Sequence, residues 1–335
     1  MTGTKHYANN FDLLRFISAA LIIISHCFAL RLGYQYVAAD APLLYLGYLG
    51  LFTLFVISGY LISMSWERTG SNARYFWKRS LRLFPGLIAS VIFVLFIIGP
   101  MVTSLSITGY FSALFSVNGI LSVPFFNDGS VVGIFTGNPV TYVNAVLWTI
   151  PVEFLMYVLV ALIGTAGLLK KEWVHLSMIA IIVLLWVTWY DDPSLSKIRF
   201  VLYFLIGAFF YQKRDLIRYD YRIALVLVAV LVIGIQWRTT APFAALFTIP
   251  YLVLYAAHLH GKEWLHDFGR HGDISYGMYI YSYPIIQTII YYTGNSLSLA
   301  GLTIAAFICT LPVAYLSWRF VESRALAMKD SRFFT

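Results

Sequence analysis

Three ionisable residues stand inside apolar runs. Arg15 and His26 bracket RFISAALIIISH, and Glu153 lies in LWTIPVEFLMY. An imidazole can take a hydroxyl proton near neutral pH. A fourth element, RYFWKRSLRLFP, carries Arg79 and Arg82 at i and i+3, so they project together from a helix and can hold phosphate through paired hydrogen bonds. Proton transfer to a nucleophile, next to a phosphate-bearing partner, is the chemistry these types support.

The spacing adds geometry. Arg15 and His26 are 11 positions apart, about 16 Å along a helix and on the same face. Asp12, three residues before Arg15, can pair with it. Glu153 has no cation within one helical turn, so it needs a partner from another helix or a proton. The plainer readings are an arginine that snorkels to anchor a helix end, a satisfied core histidine, an interhelical hydrogen bond and, for Arg79 and Arg82, a basic anchor at the inner mouth of a span. Ser58 and Gly59 in FVISGYLIS permit close helix approach. Tyr276, Tyr279, Tyr281 and Tyr283 in DISYGMYIYSYP make an aromatic-rich face whose plainer role is packing. Four histidines in HLHGKEWLHDFGRHG match no metal-ligand spacing and read as surface residues; no metal is implied.

The elements that must hold these groups are membrane helices. The 335 residues are 60% hydrophobic and 11% charged, against roughly a quarter charged in a soluble domain. Apolar runs predict ten spans: about 11–30, 43–65, 80–102, 145–168, 174–190, 199–212, 222–237, 241–258, 273–293 and 299–320. The fold class is therefore all-α, a polytopic bundle forming one integral-membrane domain over 1–335, without an appended soluble domain.

With both termini in the cytoplasm, 18 of the 23 Lys and Arg fall on the inner side. Four (Arg31, Lys197, Arg199 and Arg238) fall outside, and Arg15 lies within a span. This asymmetry follows the positive-inside rule and explains the net charge of +8 without nucleic acid. Counting part of 103–144 as a span would invert Lys170–Lys171, so that segment reads as an outer loop, partly re-entrant at most. Cys27 and Cys309 lie in apolar runs and give no disulfide signal.

Taken in order, FDLLRFISAALIIISH, FVISGYLIS, KRSLRLFP, LWTIPVEFLMY, SYGMYIYSYP and FVESRAL resemble the acyltransferase-3 family of integral-membrane O-acyltransferases. The resemblance covers nearly the whole chain. It implies acyl transfer from cytoplasmic acyl-CoA, commonly acetyl-CoA, to a hydroxyl of a lipid-linked or cell-surface glycan such as O-antigen. It implies a place in the bacterial inner membrane, in contact with lipid. Carried over by motif, His26 and Glu153 are catalytic, and Arg79, Arg82 and Arg15 bind the donor. Asp12, Ser58, Gly59, Tyr276 and Tyr279 support them. Ser282 stands where many members have a histidine, which excludes a second catalytic histidine there. The rival reading is a transporter whose Arg, His and Glu line a substrate or proton pathway.

Overall fold

A computed structural model describes residues 9–34, 42–116, 132–189, 197–237, 239–259 and 268–330. Among these the chain is helical, without strands beyond an isolated bridge between Thr103 and Ile134. The helices are α1 (Phe11–Leu32), α2 (Pro42–Thr69), α3 (Asn72–Phe93), α4 (Ile107–Leu114), α5 (Thr149–Thr165) and α6 (Glu172–Thr188). Then follow α7 (Ile198–Gln212), α8 (Tyr221–Gly234), α9 (Ala241–His258), α10 (Ser275–Thr293) and α11 (Leu299–Ser317).

Local sequence sets their ends. Ser106, Asp220 and Ser298 cap α4, α8 and α11, their side chains accepting from the backbone N–H of Gly109, Arg222 and Gly301. Gly294 closes α10 with φ 57°, a left-handed conformation that suits glycine. α3 runs on through a π turn, Val94–Ile98, and α11 through another, Trp318–Glu322. A π turn admits an extra residue without ending the helix.

A helix lies at each of the ten expected spans. Six stretches among the described residues are long and apolar enough to cross a membrane: Phe11–Leu32, Leu43–Thr69, Asn72–Val102, Ala145–Thr165, Ala241–His258 and Leu299–Ala327. α6, α7 and α8 are apolar but shorter. α8 exposes Leu225, Val226 and Ile233, the surface expected of a helix that faces lipid. The chain is a multi-pass membrane protein.

The residues gather into two compact units. One comprises Met1–Ser18, Leu49–Tyr75 and Phe154–His271; the other comprises Ala19–Tyr48, Phe76–Glu153 and Gly272–Thr335. In the first, α2 and α7 touch backbone to backbone. A Cβ on Gly59 would fall 1.9 Å from the carbonyl oxygen of Phe204, and one on Gly207 would fall 2.2 Å from that of Val56. Each glycine admits the other helix, so close packing is what Gly59 does. Gly59→Val should force the helices apart and cost about 1–3 kcal/mol. Thermal unfolding in detergent should show a lowered midpoint; an unchanged midpoint would mean the helices yield freely.

Glu67, near the end of α2, ties three neighbours. It accepts a hydrogen bond from Tyr211 at 2.5 Å and lies 3.2 Å from Lys170 and 3.3 Å from Arg214. A cavity of about 540 Å³ beside it is lined by Ser63, Trp66, His175 and Gln212 among others.

One histidine departs from the surface reading. His258, the last residue of α9, stacks on Tyr219 with centroids 4.7 Å apart and meets Phe11 and Tyr60 edge-on. Its Nδ1 lies 2.7 Å from the Leu254 carbonyl oxygen. An aromatic ring at a helix end finds packing partners that its polar neighbours in sequence do not suggest. His260 and His266 lie outside the described residues.

Candidate active site

The second unit is organised on α10, whose residues from Gly277 to Gln287 are buried throughout. Tyr276, Tyr279 and Tyr283 stand at i, i+3 and i+7, one stripe of that helix. Each meets a different chemical group. The stripe is about 10 Å long at 1.5 Å per residue.

At Tyr283 the stripe meets His26 of α1. The rings pack edge to face, with centroids 5.2 Å apart and planes at 77°. His26 Nδ1 is buried and has no hydrogen-bond partner among the described residues. A polar atom withdrawn from water without a partner is costly, so a ligand that supplies one binds favourably there. Cys27 turns instead toward Thr303 of α11. Consecutive helix residues point about 100° apart, as the sequence predicts for this pair.

At Tyr276 the stripe meets α3. The Tyr276 hydroxyl donates to the Leu83 carbonyl at 2.8 Å, and the Arg82 guanidinium lies 6.0 Å from its ring centroid. Arg82 forms an ion pair with Asp273, just before α10. Asp273 also accepts from the backbone N–H of Ser275 at 3.1 Å and from its hydroxyl. Glu153, in the first turns of α5, is half-buried and within electrostatic reach of Tyr276 and Tyr279. The Tyr279 hydroxyl and Thr149 Oγ1 are 2.8 Å apart, which ties α10 to α5 one turn before Glu153.

Pro284 explains a further tie. Proline has no N–H, so the carbonyl of Ile280 loses its helical partner. Asn144 Nδ2 donates to that carbonyl at 2.9 Å. One turn later Gln287, 0% exposed, donates to the carbonyls of Val140 at 2.8 Å and Tyr142 at 2.7 Å. Asn138 Nδ2 donates to Gln287 Oε1 at 2.8 Å and to its backbone carbonyl at 2.9 Å. The described end of the 103–144 segment is thus fastened along α10. Residues 117–131 lie outside the described ones.

Of the expected site residues, the structure brings His26, Arg82, Glu153, Tyr276 and Tyr279 to this unit. Arg79 stands one turn before Arg82 on α3 and is half-buried. Arg15, Asp12, Ser58 and Gly59 belong to the first unit, where Arg15 and Asp12 form the expected pair at 3.1 Å.

Sequence reasoning missed three polar groups. Asp273 stood in the quoted tyrosine motif without a role. Glu322, in FVESRAL, is 2% exposed; Ser317 donates to its Oε1 at 2.9 Å, and Oε2 has no partner among the described residues. Gln287 is an amide inside an apolar helix, a signal that could have marked it.

Two relatives match nearly end to end. An O-acetyl transferase of Shigella phage Sf6 is 27% identical over 354 aligned positions, covering 98% of both chains. Nodulation protein 10 of Rhizobium leguminosarum bv. viciae is also 27% identical, covering 97% of this chain and 95% of its own. No solved structure matches. The family model described as an acyltransferase domain matches residues 9–319, which span both Arg15–His26 and the α10 stripe. By that match the chain belongs to the acyltransferase-3 family.

Proposed function

We propose that this protein transfers an acetyl group from cytoplasmic acetyl-CoA to a hydroxyl of a lipid-linked or cell-surface glycan, in a bacterial inner membrane. The carrying observation is His26, whose buried Nδ1 has no partner among the described residues and whose ring packs on the tyrosine stripe that also meets Arg82. Family membership and a relative named as an O-acetyl transferase support the reaction class. The bias of Lys and Arg supports a ten-span topology with both termini and the Arg79–Arg82 end of α3 inside.

In this reading Arg79 and Arg82 hold the donor's phosphates. Tyr276, Tyr279 and Glu153 line the way along α10. Arg15, kept in place by Asp12, adds positive charge on the cytoplasmic half of α1. His26 takes the proton of the acceptor hydroxyl as its oxygen attacks the thioester carbonyl. The new C–O bond forms, the C–S bond breaks, and the proton passes to the departing sulfur, leaving CoA as its thiol.

Acetyl-CoA does not cross membranes, so sidedness tests donor and orientation together. Inverted vesicles should release CoA thiol from acetyl-CoA added outside, provided the acceptor glycan is present. Right-side-out vesicles should release none. Release by right-side-out vesicles alone, or by neither kind, would defeat the proposal.

A further inference from the structure

Beside His26 the second unit holds more aromatic surface than acid–base chemistry requires. The phenol of Tyr34, just past the end of α1, approaches that of Tyr283. The rings of Tyr34 and Tyr142 meet at a tilt, with centroids 6.4 Å apart and planes at 48°. Both are open, at 40% and 44% exposure. Tyr142 is pinned through its own carbonyl to Gln287, a residue 0% exposed whose amide is spent wholly on residues 138–142. A buried amide that fastens residues 138–142 sets the backbone position of a residue whose ring is half exposed.

The charge pattern narrows what such a surface receives. Residues 16–30, 132–148 and 275–296, which carry His26, Tyr142 and Tyr283, contain no Asp, Glu, Lys or Arg. These segments offer an anionic ligand no countercharge, and Arg31, three residues before Tyr34, donates through its Nε to the Leu297 carbonyl at 2.8 Å. A flat ligand with an apolar face and hydroxyl edges matches rings that offer a π face and a phenol tip. A pyranose is such a ligand: its axial C–H bonds lie on a ring face and its hydroxyls point outward to meet phenol oxygens. Tyrosines also gather at membrane surfaces as a lipid-facing belt. These two are in ring contact with each other, and Tyr34 connects through Tyr283 to His26.

We propose that Tyr34 and Tyr142 form the acceptor subsite, a ring-face contact for an uncharged sugar residue that presents its hydroxyl to His26. They are specificity-determining residues rather than catalytic ones. The identity of the acceptor rests on the acyl-transfer reading; the place of the subsite rests on the tyrosines and the Gln287 clamp.

Saturation-transfer NMR on the detergent-purified full chain tests this without turnover. The probes are neutral oligosaccharide fragments of the source cell's surface polysaccharide, de-O-acetylated with mild base, and a glucuronic acid disaccharide. Saturation should reach the ring protons of the neutral fragments in the wild type. Tyr142→Leu and Tyr34→Leu should each weaken their binding about tenfold, whereas Tyr142→Phe, which keeps the ring face, should stay within about threefold. Thermal unfolding should match the wild type in all three, because both side chains are half exposed. No saturation in the wild type, preference for the acidic probe, or wild-type affinity in the leucine variants would overturn the subsite. The last result would return the tyrosines to a membrane belt. Neutral fragments that bind while acetyl-CoA yields no transfer would sustain the subsite and defeat the proposed function instead.

Discussion

His26→Ala should lower the rate of acetyl transfer by about 10²- to 10⁴-fold, the usual loss when a general base is removed, and by more if the imidazole also carries the acetyl group. Affinity for acetyl-CoA should stay near that of the wild type. The reason lies in the α10 stripe: His26 packs on Tyr283, two helical turns from the Arg82 cluster at Tyr276, so its loss leaves the phosphate-binding end intact. Folding should also survive, because no hydrogen bond to Nδ1 from the described residues is there to be broken. The control is Cys27→Ala, which removes the thiol next to His26 in sequence but on a different face of α1. It should turn over normally. A dead Cys27→Ala beside an active His26→Ala would mean that the roles are reversed. Purified variants, matched for thermal midpoint, can be compared in one thiol-release assay.

Arg79→Ala and Arg82→Ala should both weaken acetyl-CoA binding, by about 1.5–3 kcal/mol each if the phosphate contacts are charge-assisted. They should differ in stability. Arg82→Ala removes the cation paired with Asp273, whose side chain is only 11% exposed, and losing one partner of a buried pair costs up to about 3–5 kcal/mol. Replacing Asp273 as well should restore much of that, since the uncompensated carboxylate charge goes with it. It should not restore the affinity. Isothermal calorimetry and thermal unfolding on Arg79→Ala, Arg82→Ala and Arg82→Ala/Asp273→Ala separate the two effects. Wild-type affinity in the folded double variant would reduce Arg82 to a structural ion pair.

Helix placement was legible because lipid solvation imposes it: an apolar run of the right length can satisfy its backbone only as a helix. α10 tests the limit of that rule. Its tyrosines keep it out of the six stretches long and apolar enough to cross a membrane, yet its residues from Gly277 to Gln287 are buried throughout. The i+11 spacing of Arg15 and His26 and the pairing of Asp12 with Arg15 are local features of one helix and could be read directly. Gly59 could be read as a packing residue, though not its reciprocal partner Gly207, because helix pairing is not local. The partners of the charged groups were illegible for the same reason. Arg82 and Asp273 are 191 positions apart, and Asn144 reaches Ile280 across 136. His258 was misread because a polar stretch of sequence hid a ring that packs at the end of α9.

The central claim is that acetyl-CoA acylates a sugar hydroxyl through His26. The most direct test incubates the purified wild type and His26→Ala with labelled acetyl-CoA and the de-O-acetylated surface polysaccharide, then weighs the saccharide by mass spectrometry. The wild type should add acetyl groups in ester linkage, removable by mild base, one for each CoA thiol released; His26→Ala should add none above background. Unmodified saccharide with the wild type, or equal acetylation by both proteins, would contradict the account.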